Sequence, residues 1–118
     1  MSFKKFCSCL NNREHRKFLK MRRRHRKELK ALAKNSEDFD FGYLHELVDM
    51  KLRHFLEYYE SGCNVWQTDE TRNEIITSLK EGVELADRIK NDHDWRSEYI
   101  MYKDFYEHIA EHILKWWD

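Results

Sequence analysis

From Ser36 to Gly62 the chain reads SEDFDFGYLHELVDMKLRHFLEYYESG, and the reading of this stretch decides the fold. Acids stand at its start, where a helix N-terminus favours negative charge, and glycine stands at its end, where a left-handed C-terminal cap forms without steric cost. Between them Leu44, Leu47, Val48, Leu52, Phe55, Tyr58 and Tyr59, with the stem of Lys51, recur at intervals that a helix gathers onto one face. The stripe is wide, so the pattern predicts a core-facing helix over about 40–60.

The flanking segments follow the same period. After the linker CNVWQ, with its Val65 and Trp66, Thr68-Asp-Glu-Thr has the form of an N-cap followed by first-turn acids. Ile75, Ile76, Leu79, Val83, Ala86 and Ile89 then mark a third helix with Gly82 on its apolar side. Glycine inside a helix costs about 1 kcal/mol relative to alanine, so a close neighbour is expected there. Beyond NDHD, Trp95, Tyr99, Tyr102, Phe105, Tyr106, Ile109, Ile113 and Trp116 predict a fourth helix reaching nearly to the C-terminus. Upstream, residues 12–34 carry a thin seam of Phe18, Met21, His25, Leu29 and Leu32, closed by Asn35. Such a helix is roughly 35 Å long at 1.5 Å per residue.

These elements make an all-α protein, built as an antiparallel four-helix bundle or as a three-helix core over 36–118 carrying a long basic N-terminal helix. The totals agree. The 118 residues allow one domain, proline is absent, glycine occurs three times, and aromatic residues make 14% of the chain. Two regions are expected within it: 1–35, a short leader and the basic helix 12–34, and 36–118, an acidic, aromatic-rich bundle.

Formal charge is zero overall but strongly divided. Through Asn35, 13 Lys and Arg residues face two acids, Glu14 and Glu28; from Ser36 onward nine face 20. Arg13, Arg16, Lys17, Lys20, Arg22, Arg23, Arg24, Arg26, Lys27 and Lys30 cover more than one face of the first helix, so several phosphates of an RNA or DNA backbone could be gripped together. Arginine outnumbers lysine within Met21–Lys30, which suits forked contacts to phosphate; Arg22, Arg23, Arg24, Arg26 and Lys27 are the expected principal contacts. The competing use is pairing with Glu46, Asp49, Glu57, Glu60, Glu81, Glu84 and Asp87, within one chain or between copies in a homo-oligomer. Exposed ion pairs contribute only about 0–1 kcal/mol each, so pairing alone would not hold the first helix down.

Catalytic and cofactor signatures are weak or missing. His108-Ile-Ala-Glu-His112 fits the H-x-x-E-H pattern of zinc peptidases, but the acidic ligand that family takes from far downstream has no counterpart in the six residues after His112. No Glu-x-x-His pair suits a di-iron centre and no glycine loop suits a phosphate, so no catalytic residue, metal site or cofactor is expected. Cys7 and Cys9 are too close for a zinc knuckle, Cys63 reads as a small buried residue closing the second helix, and an odd cysteine count suits a reducing, cytoplasmic setting. Neither a secretory signal nor a membrane span is expected, and Ser2 stands where N-myristoylation requires glycine. Trp117, about 100° round the helix from Trp116, is the candidate interface residue outside the basic run.

Asp40-Phe-Gly-Tyr-Leu44, Leu47, Lys51-Leu52 and Tyr58-Tyr59 resemble the pattern of a diffuse group of small uncharacterised helical proteins of tailed phages. The likeness covers about 36–118 and leaves out the basic N-terminus. That group includes inhibitors of bacterial defence, among them anti-CRISPR proteins that bind effector proteins or their guide RNA. The resemblance therefore implies a non-enzymatic binding protein in a host bacterial cytoplasm, with RNA or a nucleoprotein effector as partner; no residue-level role comes with it.

Overall fold

The computed structural model describes residues 12–63, 68–92 and 94–116. Four α-helices run through them: α1 (Asn12–Lys34), α2 (Phe41–Glu60), α3 (Asp69–Asn91) and α4 (Trp95–His112). A 3-10 turn, Ile113–Lys115, follows α4. Local chemistry sets the ends. Gly62 takes a φ of 78° just after α2, the left-handed cap that its position predicts. The Thr68 hydroxyl accepts from the Thr71 amide at 3.2 Å, and an Asp94 carboxylate oxygen accepts from the Arg96 amide at 3.0 Å, capping α3 and α4.

Residue pairings give the topology. Asp49 meets Lys90 and Arg53 meets Asp87, so α2 and α3 run antiparallel. Ser78 receives both His108 and Trp116, while the first turns of α2 meet α4 through Phe41–Tyr102 and His45–Tyr106 in parallel order. These three helices enclose the main core of Leu52, Tyr59, Ile75, Leu79, Ala86, Phe105 and Trp116. Helix α1 lies antiparallel along α2, with Lys17 near Ser61 and Glu28 near His54. Its own small cluster is Met21 and Cys63, flanked by Phe18 and Tyr58. The all-α bundle expected from the sequence is therefore a three-helix core with α1 docked on one side, 50 × 34 × 21 Å overall.

Gly82 explains how α3 approaches its neighbours: a Cβ there would lie 2.9 Å from Leu52 Cδ2 and 3.4 Å from His108 Cδ2. Two predicted stripes need correction. Trp95, Tyr99 and Ile113 of the α4 stripe are exposed, and so is Leu44 of α2. Phe41 at the start of α2 pairs with Tyr102, so Trp95 and Tyr99 overrun the end of α2 and find no helix to cover them. Ile113 turns outward because the chain tightens into the 3-10 turn, and this turn instead carries Trp116 into the core. Conversely, His45, Asp49, His54 and Ser78 are buried polar residues that an apolar stripe does not reveal. Cys7, Cys9, Val65, Trp66 and Trp117 lie outside the described residues.

Candidate polyanion interface on the first helix

Helix α1 separates its cations by the direction of its seam. Phe18, Met21, His25, Leu29 and Leu32 face α2 to differing depths, with Met21 buried and the others half-buried. Half a turn away, Arg16, Lys20, Arg23, Lys27, Lys30 and Lys34 recur at three or four residues, and all six are exposed. From Arg16 to Lys34 this stripe runs roughly 27 Å at 1.5 Å per residue. Arg13 and Arg26 flank it and are also exposed.

Few of these charges are engaged. Arg16 Nε donates to the Asn12 carbonyl at 3.3 Å and Arg23 Nε to the Leu19 carbonyl at 3.4 Å, bonds along the helix that leave most of each guanidinium outward. Arg13, Lys20, Arg26, Lys27, Lys30 and Lys34 have no ion-pair partner among the described residues. The seam side differs. Lys17 Nζ donates to the Ser61 carbonyl at 2.8 Å, Arg24 bonds Glu57 and reaches Glu28 at 3.5 Å, and half-buried Arg22 lies beside Phe18 and His25. Arg22 and Arg24, expected among the principal contacts, thus sit on the flank next to α2. Lys34, absent from the expected contacts, continues the outer stripe, and its spacing from Lys30 and Lys27 is the signal that marks it.

Electrostatics along the seam are local. Burial would raise the Glu57 carboxyl, but bonds from His25, at 2.7 Å, and Arg24 outweigh this and hold it below the usual carboxylate range. Stacked on His25, with ring centroids 3.8 Å apart, His54 bonds Glu28 at 2.6 Å. Burial lowers the His54 pKa first, and the charges of His25 and Lys51 add to the effect against Glu28.

Of the seven acids named as internal partners, Asp49 and Asp87 are used between α2 and α3. Arg53 bridges Asp49 at 2.9 Å and Asp87 at 2.5 Å, and Lys90 reaches Asp49 at 3.1 Å. Of the seven, only Glu57 pairs with α1 among the described residues. Asp49 and Asp87 thus clamp α2 to α3, and no acid among the described residues pairs with the outer stripe of α1. No helix among the described residues is long and apolar enough to cross a membrane. Compared with protein-family models, with curated proteins and with solved structures, the chain matches none.

Proposed function

We propose that this protein is a non-enzymatic binding protein that engages RNA, alone or within a nucleoprotein effector, through the outer stripe of α1. The observation that carries the reading is the exposure of Arg16, Lys20, Arg23, Lys27, Lys30 and Lys34 on the face turned away from α2, where no acid among the described residues pairs with them. A straight row of cations over roughly 27 Å follows a phosphate backbone without reading bases, so affinity would depend on salt more than on sequence. The three-helix core would hold the stripe outward. In a phage inhibitor, the role that the sequence resemblance implies, the same face would occupy the nucleic-acid path of a defence effector.

The test is fluorescence anisotropy with single-stranded RNA and duplex DNA across a salt series, for the natural chain and for a variant with Lys20, Arg23, Lys27 and Lys30 changed to alanine. The expected result is a linear fall of log affinity with log salt, with a slope reduced in the variant by about 0.7–0.9 for each phosphate that is no longer neutralised. Absence of binding to either ligand at low salt, together with a salt-labile oligomer by mass, would transfer the stripe to pairing between copies.

A further inference from the structure

Facing residues of α3 and α4 build a second constellation, unrelated to the basic stripe. Because Gly82 has no side chain, the His108 ring lies close against α3, and its Nε2 is 2.7 Å from the Ser78 carbonyl oxygen. A carbonyl can only accept, so neutral His108 donates from Nε2 and carries its lone pair on Nδ1. One turn later His112 tilts against it, with ring centroids 4.4 Å apart, and Trp116 stacks on His112 at 6.4 Å. The Nδ1 of His112 is buried and has no hydrogen-bond partner. Such a nitrogen is uncommon, and a bound ion is one group that would partner it. Glu81, exposed on α3, completes the set: one ligand atom from each of Glu81, His108 and His112 lies within 4.8 Å of the other two.

We propose that Glu81, His108 and His112 bind a divalent transition-metal ion of the zinc type and so tie α3 to α4. Two imidazoles and one carboxylate suit zinc and its neighbours, whereas calcium and magnesium take oxygen ligands. The carbonyl behind His108 is the kind of partner that fixes the ring orientation and tautomer of a metal-bound histidine. Bonds of about 2.0–2.1 Å place tetrahedral ligand atoms about 3.3–3.5 Å apart, so ligand atoms now within 4.8 Å of one another would draw together on binding, with exposed Glu81 free to follow. A groove lined by Glu70, Glu74, Thr77 and Lys115 lies beside Glu81 and His112, leaving room for water at a further coordination position. Sequence reasoning found the histidine pair but sought the carboxylate downstream. It comes instead from the preceding helix, and Glu111, the glutamate of the peptidase pattern, is outside the cluster. The site is accordingly assigned to metal binding and not to peptide hydrolysis.

The experiment is calorimetric titration of the chelator-treated 118-residue chain with zinc chloride, alongside E81Q, H112Q and a C7S/C9S double variant, each checked for helicity by circular dichroism. Glu81 is exposed, so E81Q separates metal binding from folding. One zinc per chain is expected, with a rise in melting temperature on loading and affinity lowered more than about tenfold by E81Q and by H112Q. The C7S/C9S variant should bind as the natural chain does. Failure to bind one equivalent, affinity left unweakened by E81Q, or binding lost in C7S/C9S would each overturn the proposal, the last by placing the metal on the thiols.

Discussion

His25 of α1 and His54 of α2 stack almost parallel, with ring centroids 3.8 Å apart and planes 6° from one another. Each is held by a carboxylate of the opposite helix: Glu57 on His25 and Glu28 on His54. The crossed arrangement joins two helices through paired imidazoles and carboxylates. On His54 the Nδ1 is buried without a hydrogen-bond partner, so protonation would place an N–H where nothing accepts it.

Acid should therefore weaken the fold and the docking of α1. Burial lowers the His54 pKa, helped by His25 and Lys51, and burial lowers that of His45 against the charges of Asp49 and Glu46. A histidine lowered on folding leaves the unfolded chain binding more protons, so stability is full above the ordinary value of 6.5 and declines as pH falls through it toward the folded value. Glu57, held below 4.5, acts in the same direction further down. Thermal melts between about pH 7 and pH 5 should show a falling midpoint, and H54Q should flatten the fall. A midpoint that rises on acidification would contradict the assignment.

Gly82→Ala sets two effects against each other. Alanine gains about 1 kcal/mol of helix propensity, but its Cβ would sit 2.9 Å from Leu52 Cδ2, inside the main core. Overpacking of this kind costs about 1–3 kcal/mol, and Leu52 is only 3% exposed, so it has little room to yield. The net expectation is a loss of about 1 kcal/mol, read as a lower urea midpoint at unchanged slope. A gain in stability would show that Leu52 and His108 can move aside.

Helix spans were legible because each has a period and an end signal: Gly62 after α2, Thr68 before α3 and the three- and four-residue repeats between them. The need for glycine at position 82 was legible for the same reason. Exposure of Trp95 and Tyr99 was not, because a periodic stripe does not tell how far a helix overruns the one it packs on. His45, Asp49 and His54 also escaped, since polar residues interrupt an apolar pattern even when each has a partner inside. The cations of the candidate site could be counted from the sequence, and the seam at Phe18, Met21 and His25 already implied which lay opposite. Glu81 beside His108 and His112 could not be inferred, because 27 residues separate it from His108 and only the packing of α3 on α4 joins them.

Ser78 tests the connection between the 3-10 turn and the core. Its hydroxyl donates to the Ile75 carbonyl at 2.8 Å and accepts from Trp116 Nε1 at 2.7 Å, with both side chains buried. Ser78→Ala leaves the indole N–H without its acceptor, and a buried unsatisfied donor costs about 1–3 kcal/mol. Chemical denaturation should show that loss, and a red shift in Trp116 emission should accompany it as the ring gains access to water. Serine to cysteine, which retains a weak acceptor, should recover part of the difference.

Met21 decides whether α1 opens separately from the rest. Met21 is the one buried residue of α1, in a cluster with Cys63, Phe18 and Tyr58, and beyond half-buried Leu29 and Leu32 and the His25–His54 stack the ties of α1 are polar: Lys17 to Ser61, Arg24 and His25 to Glu57, and Glu28 to His54. Buried Met→Ala changes cost about 2–5 kcal/mol, whereas each half-exposed pair adds about 0–1 kcal/mol. Loss of the methionine therefore exceeds what any one remaining tie supplies. In Met21→Ala, amide exchange and proteolytic cleavage should increase within 12–34 while the amides of α3 around Leu79 stay protected, since local opening follows local packing. The phosphate binding proposed above should survive at low salt, because the outer stripe from Arg16 to Lys34 remains on one helix once a polyanion holds it. Uniform loss of protection across α1 and α3 would instead show that the docked helix and the three-helix core unfold as one unit.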